Sequence, residues 1–214
     1  MVNYGEIHKD GIYSMATTED YLITSDLQGN LKQWQISSSE LVHDYGQAHS
    51  KRIVSITIGG PSKEFLFTSD SRGNLKQFEI LKKKELVKDY GQITQRVKDY
   101  GQITDYVGIL YILASKQFLW TSDEFGHLKQ WSIKGQNIIK SYDCFQKYGI
   151  KKFVIVQHRL ISHDWNGFLK IYDLRQDKEE INYQKLQAQK AHSIEAFDGT
   201  LFITDNWGVL REYD

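Results

Sequence analysis

A segment of fifteen residues, written five times with small changes, constrains this chain more than any other feature. The copies are LITSDLQGNLKQWQI (22–36), LFTSDSRGNLKQFEI (66–80), LWTSDEFGHLKQWSI (119–133), LISHDWNGFLKIYDL (160–174) and the fourteen-residue LFITDNWGVLREYD (201–214). Their shared glycine falls at Gly29, Gly73, Gly126, Gly167 and Gly208, at spacings of 44, 53, 41 and 41 residues. The long spacing has a visible cause: VKDYGQIT occurs at Val87 and again at Val97, a ten-residue tandem duplication within 87–104. Without those ten residues the spacing is 43, and the period is regular. A unit repeating at this length predicts small sheets set side by side rather than one large catalytic fold. The duplication reads either as a tolerated surface-loop insertion or as a protruding loop that contacts a partner.

One repeat reads as four strands. In the second copy, Arg52–Ile58 is rich in β-branched residues, and Gly59–Lys63 separates it from Glu64–Ser69. Asn74–Ile80 and Glu85–Asp89 follow, giving an antiparallel meander. Between the second and third strands stands S-D-x-x-G. Its carboxylate can accept a bond from backbone two residues on, and its glycine takes positive φ cheaply. Strands with apolar side chains at both parities, such as Leu31 with Trp34 or Leu75 with Phe78, need cover on both faces. The fold expected is an all-β β-propeller of four-stranded antiparallel blades, five in number, forming a single domain over residues 1–214. Trp34, Phe78, Trp131, Tyr172 and Tyr213 share one repeat position and are expected to fill the wedge between blades. Burying each such ring is worth roughly 2 to 3 kcal/mol.

The ring has an expected closure. Tyr45, Tyr90, Tyr142 and Tyr183 follow the repeat glycines by 16 or 17 residues, whereas only six residues follow Gly208. Met1-Val2-Asn3-Tyr4-Gly5 resembles Val42-His43-Asp44-Tyr45-Gly46, so the N-terminal segment is expected to pair as the fourth strand of the last blade. That pairing removes two open sheet edges. A closed ring predicts a monomer. An open segment of a larger ring predicts a homodimer.

The residues also resemble the WD-repeat family: a strand ending in small residues, a turn with glycine, then an LKxW strand at the family's period. The resemblance implies a buried relay of a His before the first strand, a Ser or Thr on the second, an Asp in the turn and the Trp. His8, His49 and His192 match the His position by sequence, whereas repeats three and four lack it. Counted from the aromatic, Asp26, Asp70, Asp123, Asp164 and Asp205 sit two residues earlier than the usual relay Asp, so a rewired or incomplete relay is expected. The function implied is a non-enzymatic scaffold for a protein or peptide partner.

Composition narrows the alternatives. Lys plus Arg and Asp plus Glu both total 27, so no global field recruits nucleic acid or an anionic membrane. The single cysteine, Cys144, excludes an intramolecular disulfide and lies in no nucleophile motif, and no apolar run is long enough to span a bilayer. An intracellular, cytoplasmic location is expected, and no cofactor or metal is implied. The five aspartates, with Lys32, Lys76, Lys129, Lys170 and Arg211 six residues on, read as turn caps with Asp–Lys pairs across the hairpin. Five equivalent carboxylates cannot supply the two distinct environments that hydrolysis needs, which disfavours a glycosidase-like hydrolase. His158 and His163 lack a ligand spacing and read as surface or hydrogen-bonded histidines.

What the copies do not share is the better guide to binding. Phe125, Trp165 and Trp207 are aromatics at turn positions normally polar, and aromatic residues on an exposed rim mark recognition sites. Folding back of each onto its neighbouring blade is the alternative. Arg72 and the duplicated segment's Tyr90, Arg96 and Tyr100 are expected to extend that face. A carbohydrate-binding lectin is the second reading, since exposed Trp also stacks on sugars.

Overall fold

The computed structural model describes residues 4–80, 86–92, 108–142, 148–176, 178–183, 191–205 and 207–213. Among these residues are nineteen strands and no helix, grouped into five antiparallel sheets. The first sheet is β1 (Ile12–Thr17), β2 (Tyr21–Asp26), β3 (Asn30–Gln35) and β4 (Leu41–Gln47). The second is β5 (Ile53–Gly59), β6 (Phe65–Asp70), β7 (Asn74–Glu79) and β8 (Leu86–Gln92). The third is β9 (Ile109–Ala114), β10 (Phe118–Asp123), β11 (Leu128–Ser132) and β12 (Ile138–Tyr142). The fourth is β13 (Ile150–Val156), β14 (Arg159–Asp164), β15 (Leu169–Asp173) and β16 (Lys178–Tyr183). The fifth has three strands, β17 (Ala191–Phe197), β18 (Thr200–Asp205) and β19 (Leu210–Tyr213).

Each sheet is a meander in chain order, as local turn chemistry dictates. The second strand of every sheet ends on the repeat Asp, and the third begins one or two residues after the repeat Gly. A second irregularity recurs that the sequence does not announce. The first strand bulges at its second residue, between Ile12 and Ser14, Ile53 and Ser55, Ile150 and Lys152, and Ala191 and Ser193. The residues placed at those bulges are Tyr13, Val54, Lys151 and His192. A bulge leaves its extra residue out of the ladder and re-aims its side chain.

The chain divides into two compact units, Met1–Thr121 with Lys129–Lys140, and Ser122–Leu128 with Ser141–Asp214. In the first unit β1 lies beside β5 and β5 beside β9. Ile23, Leu31, Ile53, Ile56, Leu66 and Phe78 form one core between sheets, and Phe67, Leu75, Ile112, Leu119 and Trp131 form the next. Side chains also bridge the neighbours: Ser55 Oγ accepts from the Ile112 amide at 3.2 Å and Thr57 Oγ1 from the Ala114 amide at 3.1 Å. In the second unit β13 lies beside β17 over a core that includes Val154, Ile161, Ile194 and Ile203. Both faces of an inner sheet are therefore covered, as the apolar side chains at both parities require.

The wedge aromatics follow this pattern only in part. Trp34, Phe78 and Trp131 are buried, Tyr172 is half-buried and Tyr213, on β19, is exposed. Residues 4–11 form no strand, and β19 is paired by β18 alone among the described residues. Met1–Asn3 lie outside them. The first copy of the duplicated segment supplies a strand rather than a loop, because β8 runs from Leu86 to Gln92.

The turn glycines give a clean test of close packing. Gly29 and Gly208 have nearly the same backbone, φ 84° and 81°. A Cβ at Gly29 would collide with the backbone carbonyls of His49 and Lys51, whereas one at Gly208 would meet nothing within 4 Å among the described residues. Gly208→Ala is expected to cost about 1 kcal/mol from positive φ alone. Gly29→Ala should cost about 2 to 4 kcal/mol, the overpacking being added. Urea midpoints of the two variants check this, and equal losses would contradict the close approach at Gly29.

Candidate functional site

The five repeat turns are built by one carboxylate oxygen. Asp26 Oδ1 accepts from the amides of Gln28 and Asn30, each at 2.9 Å. Asp70 does the same for Arg72 and Asn74, and Asp123 for Phe125 and His127. Asp164 does it for Asn166 and Phe168, and Asp205 for Trp207 and Val209. In each turn the glycine amide also donates to the Asp carbonyl. The second oxygen is occupied as well: Asn30 Nδ2 donates to Asp26 at 2.8 Å, Asn74 Nδ2 to Asp70 at 2.9 Å, and Arg211 Nη1 to Asp205 at 2.8 Å. His127 Nδ1 lies 2.8 Å from Asp123 Oδ2. Burial pushes the carboxyls of Asp26, Asp70 and Asp205 up, but the hydrogen bonds they accept outweigh it and hold all three below the usual range.

The Asp–Lys pairing expected across the hairpin takes another form. Lys32 Nζ donates to the Ile7 carbonyl at 2.7 Å, and Lys76 Nζ to the Ala48 carbonyl at 3.0 Å. Those carbonyls belong to the chain entering the sheet, so the lysine ties that segment down. The expected cation–carboxylate pair occurs in the fifth sheet as Arg211–Asp205.

The relay is present where its residues are. Trp34 Nε1 donates to Thr24 Oγ1 at 2.9 Å, Thr24 Oγ1 lies 2.8 Å from His8 Nε2, and His8 Nδ1 lies 3.1 Å from Asp26 Oδ2. The offset counted from the aromatic does not rewire it, because His8 reaches the turn carboxylate directly. The second sheet repeats the pattern with His49, Thr68 and Asp70 but stops there, since Phe78 has no N–H. In the third, Trp131 Nε1 donates to Thr121 Oγ1 at 3.1 Å, and the Asp partner is His127 from within the turn. His192 departs from the expectation: it is the exposed bulge residue of β17, one residue after Ala191, whereas His8 and His49 stand four residues before the equivalent Ile12 and Ile53.

The fourth sheet breaks the pattern inside. Ser162, at the position of Thr24, has a buried hydroxyl with no hydrogen-bond partner. His163 stands where Ser25 donates to the Ser14 carbonyl and Ser122 to the Ile150 carbonyl. It is fully buried and neither ring nitrogen has a partner, which corrects the expectation of a surface or hydrogen-bonded histidine. Burial, and next the Lys151 charge, push its imidazole down to about 4, so the ring is neutral near pH 7. His158 Nε2 lies 2.8 Å from an Arg175 nitrogen. Cys144 lies outside the described residues, among which no group of three His, Cys, Asp or Glu is disposed to hold a metal.

The variable turn residues divide sharply. Trp165 is 59% exposed and Trp207 76% exposed, whereas Phe125 is half-buried beside His127, ring centroids 6.4 Å apart. The three rings do not touch one another. The residue after the glycine is polar in the first three turns, as Asn30, Asn74 and His127, and apolar in the last two, as Phe168 and Val209. Phe168 stacks on Tyr148 at 6.4 Å and 21°. Sequence reasoning missed Tyr148, Phe168 and Lys151, although the Asn-to-Phe change at the residue after Gly167 was a visible signal. Arg72 is exposed. Tyr90 is in β8, skipped by the ladder at a register shift as Tyr45 is in β4, and Arg96 and Tyr100 lie outside the described residues.

No family model matches the sequence, and no curated protein matches it. Solved structures do resemble the fold. The WD40 β-propeller domain of Doa1 superposes with a TM-score of 0.73 at 13% identity, over 97% of this chain and 64% of that one. The computationally designed Ika4 protein gives 0.64 at 16% identity, covering 79% of this chain and 94% of that one. The designed Ika8 protein gives 0.63 at 13% identity, with 96% and 71% covered. At these identities the likeness concerns the fold alone, and the fold is propeller-like.

The relay makes one comparison measurable. Thr24→Val orphans two buried partners, Trp34 Nε1–H and His8 Nε2, and Thr68→Val only one, His49 Nε2. Losses of about 2 to 4 kcal/mol for Thr24→Val and about 1 to 3 for Thr68→Val are expected in denaturant titrations. A Thr68→Val loss equal to or larger than that of Thr24→Val would contradict this count.

Proposed function

We propose that the chain is a non-enzymatic, WD-type interaction module whose binding face is carried by the aromatic turns, with a protein or peptide as partner. The observation that carries this is the exposure of Trp165 and Trp207 on turns whose backbone is already satisfied by Asp164 and Asp205. Nothing in the turn requires an aromatic there, and large exposed rings are the usual anchors of recognition. The carboxylates of Asp26, Asp70, Asp123 and Asp205 accept at both oxygens, which supports a scaffold role over hydrolysis. Nucleic acid is disfavoured by the balanced charge. No helix among the described residues is long and apolar enough to cross a membrane.

The proposed ring has five blades, the N-terminal residues completing the fifth sheet as its fourth strand. A recurring contact supports this closure. Tyr45 of β4 packs edge-on against Phe78 of the next sheet, ring centroids 5.4 Å apart, and Tyr142 of β12 against Tyr172 at 5.4 Å. Tyr4 packs the same way against Trp34 at 6.3 Å and 85°. Tyr4 thus meets the first sheet as a fourth-strand tyrosine of a preceding sheet would. A monomeric solution mass that persists in the wild type and turns to dimer when residues 1–5 are removed is expected from light scattering. A wild-type dimer would overturn the closed ring.

The binding face is tested with Trp165→Ala, Trp207→Ala and the double variant, screened by peptide display and on a glycan array. Wild-type selection of peptides, lost by more than tenfold in affinity in the double variant with an unchanged denaturation midpoint, is the expected result. Retained peptide binding would remove these turns from the site. Glycan binding without peptide binding would favour the lectin, for which the exposed Trp207 ring is the supporting observation.

A further inference from the structure

On the proposed binding face, Lys151 is held in place and forms no ion pair among the described residues. Lys151 occupies the bulge of β13, the position held by Tyr13, Val54 and His192 in other sheets, so the cation is particular to the fourth sheet. The bulge aims it toward the neighbouring strand and turn. Its Nζ donates to the His192 carbonyl at 3.1 Å and stands 5.5 Å from the centroid of the Trp165 ring. The Trp165 amide in turn donates to the Gly149 carbonyl at 3.2 Å, which holds the turn against the segment that leads into Lys151. An ammonium has three donors, and the His192 carbonyl takes one.

The surrounding charges do not cancel it. Lys152 pairs with Glu195 and Arg211 with Asp205, and Asp164, opposite Ile150, accepts from the turn amides of Asn166 and Phe168. His192 is exposed beside it, and the buried His163 is uncharged at neutral pH and adds no charge. No carboxylate pairs with Lys151 among the described residues. The same turn supplies exposed apolar surface, because it carries both Trp165 and Phe168, and Phe168 stacks on Tyr148. A cation set against an aromatic plane, with donors unspent and apolar surface alongside, is complementary to a carboxylate carried next to an apolar group.

We propose that the Lys151–Trp165 corner recognises an acidic peptide segment, placing an Asp or Glu carboxylate on Lys151 Nζ and an adjacent apolar or aromatic side chain on Trp165 and Phe168. The proposal rests on the interaction-module reading and names the chemistry of its partner. It also assigns the bulge of β13 a purpose: the ladder residues Ile150 and Lys152 stay paired while the extra residue is turned out to the ligand.

Selection of a random heptapeptide display library on the full chain tests it. The wild type is expected to enrich peptides with Asp or Glu beside an aromatic or large aliphatic residue. A synthetic peptide of that consensus, titrated by tryptophan fluorescence, should bind Lys151→Met about tenfold more weakly than wild type. Its Gln or Asn counterpart should bind the two alike. Lys151→Arg keeps the charge and should restore acidic binding, and Lys151→Glu should turn the selection toward Lys and Arg. Enrichment without acidic residues, or equal affinity of Lys151→Met, would overturn carboxylate recognition. If Trp165→Ala and Trp207→Ala then still abolished binding, the docking face would stand without it. Absence of any enriched peptide, or indifference to the tryptophans as well, would sink both.

Discussion

The turn aspartate is the interaction on which the remainder of the structure depends. One oxygen satisfies two backbone amides, two and four residues on, in every repeat, and so fixes the reversal between the second and third strands. Because the carboxylate is supplied from the strand end itself, the turn needs no help from the residues within it. The two positions between Asp and Gly are released from structural duty. Leu27-Gln28, Ser71-Arg72, Glu124-Phe125, Trp165-Asn166 and Asn206-Trp207 can differ freely on an invariant frame.

From that fixed hairpin the sheets pack outward. Leucines and isoleucines of the second and third strands meet the first strand of the neighbour, and serine and threonine hydroxyls of β5 accept amides of β9. The relay grows less complete along the chain. The first sheet has the whole His–Thr–Trp–Asp relay, the second lacks only the indole, and the third replaces the entering histidine with one in the turn. The fourth leaves Ser162 and His163 without partners. Gln33 Nε2 and Ser69 Oγ in the first two sheets are unpartnered as well, but the fourth sheet gathers the most such atoms, and unpaired buried polar atoms are costly. That sheet also carries Lys151 and Trp165.

Much of this was legible beforehand because it is local. The strand–turn–strand pattern follows from S-D-x-x-G and from apolar residues at both parities, and the structure places β5, β6 and β7 within about a residue of expectation. Features that depend on a backbone partner were not legible. Lys32 and Lys76 bond carbonyls of Ile7 and Ala48, and a carbonyl leaves no trace in the sequence. The relay offset misled because it was counted along the chain from the aromatic, whereas His8 meets Asp26 across space. His192 misled for the converse reason: it lies inside β17 rather than four residues ahead of it, so a matching letter occupies a non-matching place. Tyr90 looked like part of an inserted loop, but the insertion repeats a strand and its first copy keeps the strand's place in β8.

The chain thus separates what repeats from what varies: the repeated carboxylate builds the frame, and the unrepeated aromatics and the Lys151 bulge address a partner. Amide hydrogen exchange tests the first half directly, since it reads each turn in isolation. The account predicts slow exchange at Gln28 and Asn30, at Arg72 and Asn74, at Phe125 and His127, at Asn166 and Phe168, and at Trp207 and Val209, although these amides lie in surface turns. Fast exchange in the two tryptophan turns, with protection confined to the polar ones, would contradict a common frame and make the aromatics part of the structure rather than its cargo.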